Sequence, residues 1–128
     1  MSQNQQIPPV VQEQIAKLQQ TQQNLQMILA QKQQLELEQL ETEKALEELN
    51  KTNDGDAVFK HAGTILIKSN KKDLVEELEE KKELSKTKAS LLAKQEERLK
   101  TSLKELETKI QEMIKKQSAG GTQQSPSG

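Results

Sequence analysis

Apolar residues recur every three or four positions along two long stretches of this chain, one on each side of a short β-type segment. The first stretch follows Pro8 and Pro9, which suit the start of a helix but not its interior, and no further Gly or Pro occurs before Gly55. This spacing is that of a coiled-coil seam and predicts a helix over residues 10–50. The predicted seam positions are Val11, Gln14, Leu18, Thr21, Leu25, Ile28, Lys32, Leu35, Gln39, Thr42, Leu46 and Leu49. The residues expected to widen the stripe are Ile15, Leu29, Leu37, Leu40 and Ala45.

The second stretch predicts a helix over residues 71–117. Asn70 followed three residues later by Asp73 resembles a capping box at its start. Its predicted seam positions are Val75, Leu78, Lys82, Ser85, Ala89, Leu92, Glu96, Leu99, Leu103, Leu106, Ile110 and Met113. Two helices of similar length around a turn module favour an antiparallel helical hairpin. The alternative is a parallel homodimeric rod, which leaves the middle segment without a role.

Composition argues against a compact core, and periodicity then decides between a disordered chain and an elongated helical form. Hydrophobic residues make up 31% of the chain, aromatic residues 1% and charged residues 30%. A globular domain of this length would need more large apolar side chains to offset its conformational entropy. Because the apolar residues are periodic, the helical form is favoured over disorder. Residues 1–6 and 118–128, in contrast, are polar and are expected to be disordered.

The middle segment predicts a β-hairpin over residues 57–69. Two β-favouring runs flank Gly63 and Thr64, and Gly at the first position of a two-residue loop suits a type II′ turn. A two-stranded hairpin alone is marginally stable in water and has two open edges. Strands from other copies, or from a related chain, would cover it, so the segment predicts an oligomerisation surface. Its residues are Val58, Phe59, Gly63, Ile65, Leu66 and Ile67.

Several classes of function lack their sequence signals. The net charge is −1, which does not favour nucleic acid or an anionic membrane as a partner, and the longest apolar runs are far shorter than the roughly 20 residues of a membrane span. The chain has no cysteine, a single histidine at position 61 and no phosphate-binding loop. The first residues lack the pattern of a secretory signal. We therefore expect a soluble, cytoplasmic protein that is not an enzyme and uses no metal, nucleotide or other cofactor.

The order of these parts resembles the β-type subunits of the prefoldin family over residues 7–115. The opening run from Ile7 to Gln12 is similar to the family's Ile-Pro-Pro start, and the first helix shares its richness in glutamine. The most specific likeness is the run from Val58 to Lys68. It has an aromatic–Lys pair, a Gly at the turn and an aliphatic strand ending in Lys.

The resemblance implies a mainly α fold: a long antiparallel coiled-coil helical hairpin with a β-hairpin between the helices. It further implies a hetero-hexamer of two α-type and four β-type chains, whose hairpins form a platform carrying coiled-coil arms. Such assemblies are ATP-independent chaperones that hold unfolded client proteins and deliver them to a group II chaperonin. The likeness leans towards the archaeal members of the family. The residues alone also leave a homo-oligomer open.

In an antiparallel pair, the start of helix 1 and the end of helix 2 meet at one tip. Exposed apolar residues at such a tip would bind apolar segments of unfolded chains. The candidate client-binding residues are Ile7, Val10, Val11, Ile15, Ile110, Met113 and Ile114. The alternative for these residues is an ordinary coiled-coil core. For the chain as a whole, the alternatives are a structural coiled-coil adaptor that docks one defined protein partner and, more remotely, a nucleic-acid accessory protein.

Overall fold

The fold consists of two long helices with a two-stranded antiparallel sheet between them in sequence, which confirms the predicted fold class. The computed structural model describes residues 7–124, with side-chain surroundings up to residue 117. Helix α1 spans Pro9–Lys51, strand β1 Val58–Ala62, strand β2 Ile65–Ser69 and helix α2 Lys71–Gln124. Residues 1–6 and 125–128, which the sequence predicts to be disordered, lie outside the described part.

Helix α1 begins as its two prolines lead one to expect. The Pro8 carbonyl accepts hydrogen bonds from the backbone N–H groups of Val11 and Gln12, both at 3.0 Å. Pro9 is the first helical residue, where its missing N–H costs nothing. Beyond Lys51 the chain leaves the helix, and a turn follows in which the backbone N–H of Asn53 donates to the Asp56 carboxylate at 2.9 Å.

Helix α2 begins with the expected cap at Asn70. The Asn70 side-chain oxygen accepts the Asp73 backbone N–H at 2.8 Å, which satisfies one of the free donors of the first turn. Asp73 returns a contact to the Asn70 side-chain amide at 2.9 Å, instead of to its backbone N–H as in a capping box. The helix runs to Gln124, whereas the sequence predicts its end at 117. Glycines 120 and 121 lower helix propensity but keep their N–H groups, and the next proline after Pro9 is at position 126.

The hairpin is closed by the two-residue loop Gly63–Thr64. Val58 pairs with Ser69 at the open end, and Ala62 pairs with Ile65 at the turn. Gly63 has a φ of 64° and is the only residue with positive φ in the described part of the chain. A positive φ at the first loop position and a negative one at the second match a type II′ turn.

The chain forms two compact units, and each unit contains one segment of α1 and one segment of α2. One spans Ala30–Ala93 and holds the hairpin; the other comprises α1 up to Leu29 and α2 from Lys94 onward. In the second unit, Lys17 and Thr21 lie across a groove from residues 102–109, and Asn24 and Ile28 across one from residues 95–99. The helix segments of this unit are therefore antiparallel.

The helix segments of the hairpin-containing unit are also antiparallel. Leu49 and Leu74 line one groove, and the Lys71 ammonium donates to the Thr52 carbonyl at 2.7 Å. All predicted seam positions of both helices are buried or half-buried. The stripe is nevertheless narrower than predicted: Ile15 and Ala45 are half-buried, while Leu29, Leu37 and Leu40 are exposed. They lie beyond the reach of a single partner helix, which covers only a narrow seam.

Polar residues on the seam are satisfied locally. Thr42 is 3% exposed, and its hydroxyl donates to the Glu38 carbonyl one turn earlier at 2.8 Å. The Glu96 side chain, mostly buried, lies 2.8 Å from the Lys100 ammonium on the same helix. These bonds remove most of the penalty that buried polar groups would otherwise impose on the seam.

Candidate functional site

The hairpin exposes large apolar side chains on both faces. Neighbouring residues on a strand point to opposite faces, and directly paired residues share one. Ile65 and Ile67 therefore lie on the face of Val58 and Lys60, whereas Leu66 lies on the face of Phe59 and His61. Of the predicted oligomerisation residues, only Val58 is buried. The exposed fractions are 56% for Phe59, 59% for Ile65, 62% for Leu66 and 41% for Ile67.

Side chains of β1 and of the segments that flank the hairpin hold it against the helices of its own unit. The Lys60 ammonium on β1 lies 3.3 Å from the Glu77 carboxylate on α2. Lys71 at the start of α2 donates to the Thr52 carbonyl just after α1 and lies 3.9 Å from the Asp54 carboxylate. The hairpin is thus oriented by contacts with its flanking segments, while the outer edges of β1 and β2 pair with no other strand in the described part of the chain.

A groove of about 590 Å³ lies between the hairpin and the two helices of the hairpin-containing unit. Its volume falls in the range of about 300–1,000 Å³ that is usual for binding clefts. The apolar lining residues are Ala45, Leu49, Phe59, Leu74, Leu78 and Leu84. The polar and charged lining residues are Lys60, His61, Glu77, Glu80 and Lys81. The groove therefore offers an apolar interior with charges of both signs around it.

The predicted client-binding residues divide by burial. Continuing the antiparallel register of their unit places Val11 level with residues 110–113. Val11 is 3% exposed and Ile110 is 8% exposed, so both belong to the seam. Ile15 and Met113 are half-buried beside them. The remaining three are exposed: Ile7 to 44%, Val10 to 54% and Ile114 to 51%.

This division follows from heptad geometry. Val11, Ile110 and Met113 occupy seam positions, whereas Val10 and Ile114 stand one residue beside the seam. Ile7 precedes α1, and its carbonyl accepts a hydrogen bond from the Gln12 side-chain amide at 2.9 Å. The site therefore consists of exposed apolar side chains attached to a packed base, and these exposed residues are the ones available to another molecule.

The described residues show no arrangement suited to a metal ion. No group of three or more His, Cys, Asp or Glu side chains is close enough together in residues 7–124 to hold one. None of the helices in this range is long and apolar enough to cross a membrane. His61, the only histidine, lines the groove beside the hairpin.

Sequence reasoning missed two features of this site. Leu74 is 7% exposed and lines the groove, although the seam was assigned through its neighbour Val75. Leu74 lies between the helix cap at Asn70 and the seam residue Val75. Two consecutive apolar residues at this point were a signal that the buried stripe of α2 widens towards the hairpin. The Lys60–Glu77 ion pair joins residues 17 positions apart in different elements, and no local spacing points to such a contact.

The chain matches the family model described as prefoldin subunit over residues 12–117. It is similar to the prefoldin subunit beta of Archaeoglobus fulgidus, with 42% identity over 87% of this chain and 96% of the relative. Similarity to the prefoldin subunit beta of Thermococcus gammatolerans reaches 44% identity over 91% of this chain and 99% of the relative.

A solved structure gives the same result. The crystal structure of the prefoldin beta subunit from Thermococcus strain KS-1 superposes with a TM-score of 0.74 at 40% identity, covering 85% of this chain and 96% of that one. The match spans both helices and the hairpin, the part of the sequence on which the resemblance was based. The chain therefore belongs to the prefoldin family, as a β-type subunit with the general role of a chaperone component that assembles with other prefoldin subunits.

Proposed function

We propose that this chain captures unfolded proteins without ATP, through exposed apolar residues around the start of α1 and at position 114 of α2. In this proposal it works in the cytoplasm, within a hetero-hexamer of two α-type and four β-type subunits, and passes its clients to a group II chaperonin. The observation that carries the capture step is the exposure of Ile7, Val10 and Ile114, roughly half of each side chain, beside the buried pair Val11 and Ile110.

The hairpin supports the proposed assembly, because a two-stranded sheet with exposed apolar side chains is incomplete by itself. Phe59, Ile65, Leu66 and Ile67 keep 41–62% of their surface exposed on a two-stranded sheet with two unpaired edges. Isolated hairpins of this kind are marginal in water, and open apolar edges promote pairing with further strands. Hairpins of α-type and β-type subunits would supply those strands and bury these side chains.

Weak individual contacts fit a chaperone that must release its clients. An apolar side chain contributes about 1.5–3 kcal/mol when fully buried, and less in a partial contact. After the cost of association, one set of three exposed residues holds a client weakly. Several sets on one assembly raise the avidity by about 10²–10⁴ and still allow release contact by contact. Transfer to a chaperonin then needs no nucleotide on this subunit.

The test is suppression of aggregation by the assembled complex. The variant Ile7→Ser/Val10→Ser/Ile114→Ser should keep the mass of the assembly and lose most of its protection of several unrelated unfolding proteins, measured by light scattering without nucleotide. The matched control is Leu29→Ser/Leu37→Ser/Leu40→Ser, which removes three leucines of 41–63% exposure elsewhere on α1 and should protect as well as the original chain.

Other outcomes would redirect the proposal. Full protection by the first variant would show that the capture site lies at other residues. Binding of one folded protein, with no protection of unrelated clients, would favour the structural adaptor instead.

The delivery step has its own test. A labelled client bound to the complex should move to a group II chaperonin on mixing, and retention on the complex would contradict delivery.

A further inference from the structure

The turn between α1 and β1 holds the one place in the sequence where an Asp or Asn precedes a glycine, Asp54–Gly55. We propose that Asp54 is a spontaneous modification site: its side chain cyclises onto the Gly55 backbone nitrogen and reopens as an isoaspartyl residue. The product is a substrate for the class of carboxyl methyltransferase that acts on isoaspartyl groups. The modification requires neither client capture nor subunit assembly.

The turn leaves both reacting groups accessible. The Asn53 carbonyl accepts the backbone N–H of Asp56 at 3.0 Å. Asp54 and Gly55 are therefore the two central residues of a β-turn. Residues 53–57 are all exposed, and the Asp54 side chain is 100% exposed. Solvent and an enzyme can both reach the peptide bond between Asp54 and Gly55.

The attacking atom is the Gly55 nitrogen, which has no other partner. Within residues 7–124 the Gly55 N–H donates a hydrogen bond to no acceptor. Glycine carries no side chain beside that nitrogen, which removes the main steric obstacle to ring closure. A Cβ built at this position would meet no atom within 4 Å, so the surroundings do not crowd the peptide either. Because the two reacting atoms belong to adjoining residues, ring closure has no association cost.

The Asp54 carboxyl group is held only weakly. It lies 3.9 Å from the Lys71 ammonium, and an ion pair with a fully exposed carboxylate gains little in water. Lys71 also donates to the Thr52 carbonyl at 2.7 Å, so it keeps a partner when the carboxyl group turns away. The peptide must rotate to bring nitrogen and carboxyl together, which opens the single backbone hydrogen bond of the turn. In an exposed turn water replaces that bond, so the cost is small.

The reaction balances without an oxidant or a cofactor. The Gly55 nitrogen forms a bond to the Asp54 side-chain carbon Cγ, and the carboxyl hydroxyl leaves with the N–H proton as one molecule of water. Water then adds to the main-chain carbonyl of the cyclic imide, and the bond from that carbon to nitrogen breaks. The backbone now continues through Cγ, with unchanged mass and a free α-carboxylate. The methyltransferase moves a methyl group from S-adenosylmethionine to this carboxylate.

The other two aspartates of the sequence are less suited to this reaction. The Asp56 carboxylate accepts a backbone N–H of its own turn at 2.9 Å, and the next nitrogen belongs to Ala57, whose methyl group hinders attack. The Asp73 carboxylate accepts the Asn70 side-chain amide at 2.9 Å. The nitrogen that follows it, of Leu74, donates to the Asn70 carbonyl at 3.1 Å. The reaction is therefore expected at one aspartate of the three.

Ageing of the folded, full-length chain tests the site. After incubation at neutral pH and physiological temperature, trypsin releases the peptide from Thr52 to Lys60, which contains both Asp54 and Asp56. Mass spectrometry should show an isomer of unchanged mass and different retention time. Electron-based fragmentation should place isoaspartate at residue 54, at least about tenfold above residue 56. An isoaspartyl methyltransferase with labelled S-adenosylmethionine should label the aged chain in proportion to this isomer.

Two variants serve as matched controls. Gly55→Val puts a branched side chain beside the attacking nitrogen and should lower the isomer at least about tenfold. The position tolerates it, because its surroundings are open and its φ is not positive. Asp54→Glu keeps the charge but would have to close a larger ring, so it should accept almost no label. Both variants should keep the helix content of the original chain in circular dichroism.

Several outcomes would overturn the modification site. These are equal isomer at residues 54 and 56, equal accumulation in Gly55→Val and the original chain, and formation of the isomer in denaturant but not in the folded chain. A product of higher mass would report deamidation of Asn53 and would overturn Asp54 as the modified residue. Capture and assembly measurements do not enter this test, so its failure would leave the proposed function standing.

Discussion

The ammonium of Lys60 on β1 lies 3.3 Å from the carboxylate of Glu77 on α2, and this ion pair connects two residues that are 17 positions apart in sequence. Both side chains are about half exposed, 42% for Lys60 and 56% for Glu77. Exposed pairs gain little free energy, since water screens the charges and two long side chains lose freedom. The pair therefore orients the hairpin more than it stabilises the chain.

A double-mutant cycle tests this role. Lys60→Ala, Glu77→Ala and the double variant should give a coupling free energy of about 0.2–1 kcal/mol in urea unfolding followed by circular dichroism. The coupling should shrink as salt rises from about 0.01 M to about 1 M, where the Debye length falls from about 30 Å to about 3 Å. A coupling well above this range, unaffected by salt, would show that the pair is buried in the assembled state.

Gly63 is the residue on which the hairpin's turn depends. Its φ of 64° lies in the left-handed region, and an added Cβ would meet no atom within 4 Å. Gly63→Ala should therefore destabilise the chain by about 1–2 kcal/mol through backbone strain alone. Gly55→Ala is the control, because its Cβ would also stand in open space but its φ is not positive. Equal unfolding midpoints for the two variants would contradict this reading of the turn.

The fold was predictable from the sequence to the extent that its contacts are local. Seam positions such as Leu35, Leu46 and Ile110 repeat along one helix, so spacing alone identified them as buried. The turn at Gly63 was predictable for the same reason, because loop length and one glycine determine its type. The width of the stripe was not: Leu37 and Leu40 are apolar but exposed, since one partner helix cannot reach them.

The site was less predictable because it depends on contacts between elements. Lys60 meets Glu77, and Leu74 reaches the groove, only once the hairpin is placed against the helices. The client-binding prediction grouped the buried Val11 with the exposed Val10 because both are apolar residues near the start of α1. Their heptad positions separate them, because Val11 is on the seam and Val10 is beside it.

Two lysines on β2 should disperse the oligomer. Ile65→Lys/Ile67→Lys puts two charges on one face of the strand, where a neighbouring subunit would have to desolvate them. Native mass measurement should show loss of the assembly, while circular dichroism shows nearly unchanged helix content. Leu37→Lys/Leu40→Lys, at leucines of 59% and 63% exposure, should assemble normally. Assembly of the β2 variant at full mass would argue against joining through hairpins.

Leu46 and Leu40 give a matched pair for the helical seam. Both are leucines of α1, but Leu46 is 6% exposed and Leu40 is 63% exposed. Leu46→Ala removes buried apolar surface and leaves a cavity at the helix contact, so it should lower the free energy of unfolding by about 2–4 kcal/mol. Leu40→Ala should change it by less than about 0.5 kcal/mol, as is usual for surface substitutions. Both values come from urea unfolding of the same preparation at one protein concentration, because subunit assembly makes stability depend on concentration. A loss for Leu40→Ala as large as that for Leu46→Ala would mean that another subunit covers Leu40.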